Sequence, residues 1–173
     1  MLQDNKLKIM NFFFEEPVRY FHIRELARLS KIAHTSVKNH LAELEKEELI
    51  KKVKTPIYDS FIANEENRTY KIYKQQHMIM QLYSSKLIDY LEENLHPKCI
   101  ILFGSVRKGE YKAESDIDLF VQTSQKNINL EKYEQILKHK ISLFFEENIT
   151  QLSSELFNNI ANGIKLSGYL KVR

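Results

Sequence analysis

Apolar residues in the first half of the chain recur at helical spacing; in the second half they gather into short runs between polar segments. From Asn5 to Phe14, Leu7, Met10, Phe13 and Phe14 fall on one helical face, and Pro17 ends that helix. Ile23, Leu26, Ala27 and Ser30 continue the pattern over 22–30, and Val37, Leu41 and Leu44 repeat it over 34–50, with Thr35 as the expected N-cap. "ELIKKVK" (48–54) and "RTYKIYK" (68–74) alternate as strands do, and "TPIYDSFIANEEN" between them reads as a loop. Residues 73–95 contain neither Gly nor Pro and carry a stripe of Ile79, Leu82, Tyr83, Leu87, Tyr90 and Leu91. They predict one long helix whose stripe must be buried against the next domain, a partner subunit, or both. His96-Pro97 breaks it.

Beyond that break the period changes. "CIILF" (99–103) and "DIDLFV" (116–121) predict strands, followed by a helix over 129–140, a strand "ISLFF" (141–145), a helix "SSELFNNIANG" and a terminal "IKLSGYL". The expected class is α+β. Residues 1–74 form a helical domain with two strands, 75–95 a connecting helix, and 96–173 a small mixed-sheet domain flanked by helices.

Composition narrows the setting. The chain has 173 residues, 43% hydrophobic and 28% charged, which suits a soluble protein of one or two small domains. No apolar run approaches the ~20 residues of a membrane span, and the N-terminus lacks a signal-peptide layout, so a cytoplasmic protein with no membrane partner is expected. A single cysteine, Cys99, excludes an internal disulfide and a Cys-rich zinc site; inside an apolar run it reads as a buried thiol. The net charge of +3 is uneven, with 14 Lys+Arg against 11 Asp+Glu in residues 1–75 and 12 against 12 in the rest. This weakly favours nucleic acid for the first part.

The candidate chemistry lies in "FGSVRKGEYKAESDIDLFV" (103–121). Gly104 leaves room for a phosphate beside the backbone, because no Cβ stands there. A short helix over 105–111 would aim its first amides and the Ser105 hydroxyl at an anion, with Arg107 and Lys108 adding positive charge. Asp116 and Asp118 share one strand face about 7 Å apart, where they can hold one or two divalent ions against a triphosphate.

Gly-Ser, ten residues, then Asp-x-Asp resembles the minimal nucleotidyltransferase motif of the polymerase-β superfamily, with Gly109 and Ser115 also in place. The resemblance covers about residues 86–173. It implies transfer of a nucleoside monophosphate from ATP or another NTP, with Mg²⁺ or Mn²⁺, to an acceptor hydroxyl. Asp116 and Asp118 would be the catalytic metal ligands, and Gly104, Ser105, Arg107, Lys108 and Ser115 the nucleotide-binding residues. Minimal members often act as antitoxins that adenylylate a helical toxin partner. Members of the family carry a third carboxylate early in the strand at 141–145; here Ser142 stands at that position. Glu146 keeps its face but lies about 13 Å further along, and Glu147 points away. An alternative class is therefore a regulator that binds metal-nucleotide or a partner without efficient turnover.

The stretch 3–74 resembles a winged helix-turn-helix of transcription regulators. That implies DNA as partner, with His34, Thr35, Ser36, Lys38 and Asn39 at base edges and Lys51, Lys52, Lys54 and Arg68 on a wing against phosphates. The acidic run "ELEKEEL" (43–49) is a poor neighbour for DNA, and a protein-facing role is the competing reading.

Overall fold

A computed structural model describes residues 4–54 and 58–171. The chain divides into two compact units, with the boundary between Ile72 and Tyr73. The first unit runs α1 (Asp4–Glu15), β1 (Phe21–His22), α2 (Ile23–Ser30), α3 (His34–Lys46), β2 (Ile50–Lys54) and β3 (Asp59–Ala63). Its sheet has the order β1-β3-β2 and is antiparallel throughout. The helical stripes read from the sequence become its core: Ile9, Met10, Phe13 and Phe14 of α1 are buried, as are Leu26, Val37, Leu41 and Leu44. Phe21 of β1 reaches in among them, edge-on to Phe13 at 5.1 Å. Each such side chain stabilises the fold by about 1.5–3 kcal/mol relative to exposure.

Three sequence expectations are overturned in this region. The strand expected at 68–74 is the start of a helix, α4 (Arg68–Ser84). Asn67 caps it, its Oδ1 accepting the amides of Thr69 (2.7 Å) and Tyr70 (3.1 Å). The buried positions then follow helical spacing, Tyr70, Lys74, Met78 and Leu82, and the Tyr70/Ile72 alternation is incidental. Arg68 therefore stands at the head of α4 and not on a wing strand. The strand that pairs with β2 is β3, inside the segment expected to be a loop, whose Thr55–Ile57 part lies outside the described residues. Finally, Ala33 is the N-cap of α3 and Thr35 lies within the helix.

The single helix expected over 73–95 is two, α4 and α5 (Leu87–Leu95). Lys86, at φ 66°, turns the chain between them. Then follow β4 (Cys99–Phe103), α6 (Gly104–Lys108), β5 (Ile117–Val121), α7 (Glu131–Leu137), β6 (Ile141–Phe145), a 3-10 turn (Ile149–Gln151), α8 (Ser154–Ala161) and β7 (Ile164–Gly168). The sheet order is β6-β5-β4-β7. β4 is antiparallel to β5 and β7, while β6, reached through the α7 crossover, is parallel to β5. The class is thus mixed α and β with two sheets.

One sheet face carries Cys99, Ile101, Phe103 and Phe120 into a core with Ile149 and Ile160. Burial pushes the Cys99 thiol up to about 11, which leaves it inert. Gln122, at the end of β5, is buried and holds three chain segments: its amide donates to the carbonyls of Glu147 and Lys171 and its oxygen accepts the Lys171 amide. β6 is an edge strand. The Lys140 carbonyl faces β5, accepting the Ile117 amide at 2.8 Å. The next amide, Ile141, faces the other way and is met by the Glu134 carboxylate at 3.0 Å. Among the described residues no helix is long and apolar enough to cross a membrane.

Candidate active site

Strand register brings the chemistry together. Asp118 is paired with Phe103 on one side and with Ser142 on the other, so the end of β4 and the starts of β5 and β6 lie side by side at the Gly104 turn. Asp116 lies one residue before β5 and is exposed; Asp118 is half-buried. Their two-residue spacing puts both carboxylates on the face that carries Ser142. The Ser142 hydroxyl donates to Asp116 Oδ2 at 3.3 Å. Burial, and then the charge of Asp116, raise the Asp118 carboxyl above the usual carboxylate range.

Gly104 has a different task from the one expected. Its φ is +70°, and a Cβ there would lie 2.0 Å from Asp118 Oδ2. The space left by the missing side chain holds the Asp118 carboxylate and is not open to a phosphate. Glycine is needed here on both counts, the left-handed backbone and the close approach. The turn then enters α6, which Gly109 closes at φ 68°.

The other residues singled out in the sequence divide into two sets. Gly104, Ser105, Arg107 and Lys108 line a cleft of about 440 Å³, together with Phe103 and the α8 residues Asn158 and Asn159. Arg107 is partly committed inside it, since its Nε donates to the Asn162 carbonyl at 2.6 Å and its own carbonyl accepts from Gln75. Ser115 is not in the cleft. Its hydroxyl accepts the Lys112 amide at 2.9 Å and its carbonyl meets His139 Nδ1 at 2.8 Å, so it shapes the turn before Asp116. Buried Tyr111 steadies the same loop, with Lys74 Nζ 4.6 Å from its ring centroid and the His139 ring edge-on at 5.6 Å. Phe103, Asn158 and Asn159 escaped the sequence reading: Phe103 looked like plain core, and nothing local ties α8 to a turn fifty residues earlier.

A divalent ion fits the pair in a limited way. The described residues contain no group of three or more His, Cys, Asp or Glu side chains able to hold a metal. Magnesium, however, is commonly held by one or two carboxylates with substrate phosphates and water completing its shell. Asp116 and Asp118 are such a donor set, and a bound cation would offset the burial and the Asp116 charge that raise Asp118's proton affinity. Glu146 does not extend the set, because its carboxylate accepts the Asn148 amide at 2.9 Å.

In the first unit, His34, Thr35, Lys38 and Asn39 are exposed on the first turns of α3 and Ser36 is half-buried. Of the β2 lysines, Lys51 pairs with Glu66 at 2.5 Å and Lys52 with Asp59 at 2.7 Å, while Lys54 is exposed. Arg24 and Arg28 of α2 line a cleft with His34; among the described residues neither has an acidic partner, and both went unnoticed in the sequence.

Searches of curated proteins and of solved structures give no match to the chain. A scan of protein-family models does: residues 85–168 match the family described as Polymerase beta, Nucleotidyltransferase. Such enzymes generally use a divalent metal and a nucleoside triphosphate. The match supports a nucleotidyltransferase domain in the second unit and, at the level of the family, nucleotidyl transfer.

Proposed function

We propose that the second unit binds a metal–nucleoside triphosphate, ATP first among them, and transfers its nucleoside monophosphate slowly to an acceptor hydroxyl. The observation that carries this is the carboxylate pair Asp116 and Asp118, the latter closed against Gly104, with Ser142 in register where a third acid would stand. A bound divalent ion would offset charge on the reacting oxygens. The rest falls to the chain. Asp116 and Asp118 anchor the ion, and the cleft at Ser105 and Lys108 receives the phosphates. Ser142 is no base at neutral pH, so as the acceptor oxygen bonds to the α-phosphorus and pyrophosphate leaves, its proton passes unassisted to solvent water, which makes the transfer slow. The acceptor hydroxyl belongs on this reading to a partner protein, as the resemblance to antitoxins suggests.

A second reading is favoured by the hydrogen bond from Ser142 to Asp116, which occupies a carboxylate oxygen with a neutral donor. On it, the domain holds metal-nucleotide without turnover, and the protein is a regulator. Both readings share a DNA-binding first unit of winged-helix type. Its support is the α2–α3 pair, the exposed polar start of α3, the β2–β3 hairpin behind it, and the unpaired Arg24 and Arg28.

Purified protein incubated with Mg–ATP, followed by calorimetry for binding and by pyrophosphate release for turnover, tests the proposal. Slow release that Asp116→Ala or Asp118→Ala abolishes supports transfer. Binding without release selects the second reading, and no binding overturns both.

A further inference from the structure

Phe144 is the exposed member of an otherwise buried aromatic face. β6 runs parallel to β5 with Asp118 opposite Ser142 and Phe120 opposite Phe144. Side chains alternate along a strand, so Ser142 and Phe144 lie on the face that carries Asp118. On that face Phe120 is fully buried and Phe103 is 7% exposed, yet Phe144 is 41% exposed. Its ring meets Phe103 edge-on, with centroids 5.3 Å apart and planes at 69°. One flank is thus fixed by the core and the rest stands in water. It lies two residues, or about 6.6 Å, along the strand from Ser142, one strand repeat beyond Asp118 on the same face. Phe103, which holds it, also lines the Gly104–Ser105 cleft.

We infer that Phe144 is the stacking surface for the base of the nucleoside triphosphate. The inference rests on the nucleotide-binding reading above and adds to it the position of the base. A triphosphate anchored at the cleft, which Phe103 lines, can extend its ribose and base past Phe103 to the ring packed against it, with a flat apolar face to cover. Exposed aromatic rings provide such cover for any base, because every base has a π-face. A phenyl ring offers no hydrogen bond, so Phe144 distinguishes a nucleotide from a bare polyphosphate and, among bases, reads only the size of the face. Purines, with the larger face, bind more tightly than pyrimidines.

The chain has no tryptophan, so Phe144→Trp places a single indole emitter at the site. We expect Mg–ATP to quench its emission and Mg–tripolyphosphate to leave it unchanged. By calorimetry, Phe144→Ala and Phe144→Leu should each bind Mg–ATP about fivefold to a hundredfold more weakly than the unaltered protein. Leu keeps the apolar bulk, so its loss isolates the aromatic face. Mg–tripolyphosphate should bind all three proteins equally. Unchanged ATP affinity in the Ala variant, or an indole response to tripolyphosphate equal to that to ATP, overturns the inference while the nucleotide reading stands. If the unaltered protein binds neither probe, the nucleotide reading itself falls and the inference with it.

Discussion

Two strands of this protein each carry a pair of like charges, and the two pairs are treated in opposite ways. On β2, Lys51 and Lys52 each have an acidic neighbour, Glu66 and Asp59. The hydrogen bond to Asp59 raises the Lys52 ammonium above its ordinary value, and that from Lys51 holds Glu66 below the usual carboxylate range. Before and within β5, Asp116 and Asp118 have no cation partner among the described residues, and Asp118 is pushed towards its neutral form by burial and by its neighbour. The β2 charges are complete as they stand. The β5 charges are in deficit, and a cation from outside is what would balance them. A like-charged pair on a surface is common; one whose inner member is half-buried and packed against the Gly104 turn costs stability and points to a ligand.

The comparison breaks most sharply at the aspartates. Asp118→Ala and Asp116→Ala should each abolish magnesium-dependent ATP binding, read by calorimetry with and without EDTA. Retained binding in either variant would mean that the metal is held elsewhere.

Next in size is Ser142→Asp. It supplies a third acid in register with Asp118, and pyrophosphate release should rise by about 10²- to 10⁴-fold, the usual worth of a general base or metal ligand. Brisk turnover by the unaltered protein with no gain in the variant would show that another residue supplies the acid, and that Ser142 is not at the third position.

A smaller effect concerns pH. Asp118 has a raised carboxyl, so unfolded chains ionise before folded ones as pH rises past the ordinary aspartate value of 3.8. The stabilising contribution of its protonated form is present below that value, declines between it and the raised folded value, and stays lost above. Thermal melts from pH 3 to 7 should show this decline as a difference between the unaltered protein and Asp118→Asn. Asp116→Asn should shrink it by removing the nearby charge, and magnesium should cancel it. A difference that magnesium leaves untouched would remove the link between the charge deficit and a cation.

The smallest change is expected on β2. Replacing Lys51 and Lys52 together should flatten the dependence of log affinity for DNA on log salt by about 2, if each meets one phosphate. No change would leave these lysines to their acidic neighbours and shift the phosphate contacts to Arg24 and Arg28.

The parts legible in the sequence are those in which burial acts locally. β4 and β6 coincide with their apolar runs because Pro97 and Gly104 bound the first, and polar turns bound the second. The first three helices followed from their stripes. What stayed hidden depends on distant partners. β1 is two residues long and exists only because Phe21 pairs with Phe61, forty residues away. β3 begins with Asp59 and Ser60, so it looked like loop, yet Ser60 is buried and bonded to His22 at 3.3 Å. Lys86 breaks a helix at a left-handed residue that is neither Gly nor Asn. At the site, the motif located Asp116, Asp118 and Gly104, but the register that sets Ser142 opposite Asp118 required the parallel pairing of β6.

The Glu134 carboxylate on the Ile141 amide has a consequence for behaviour in concentrated solution. "ISLFF" is apolar and borders the sheet, and such a border is a template on which another chain can add itself, strand by strand, into a growing ribbon. By taking the first outward donor, Glu134 denies an incoming strand the bond that would set its register. Glu134→Ala removes that guard, and turbidity at high protein concentration is where its loss would first be visible.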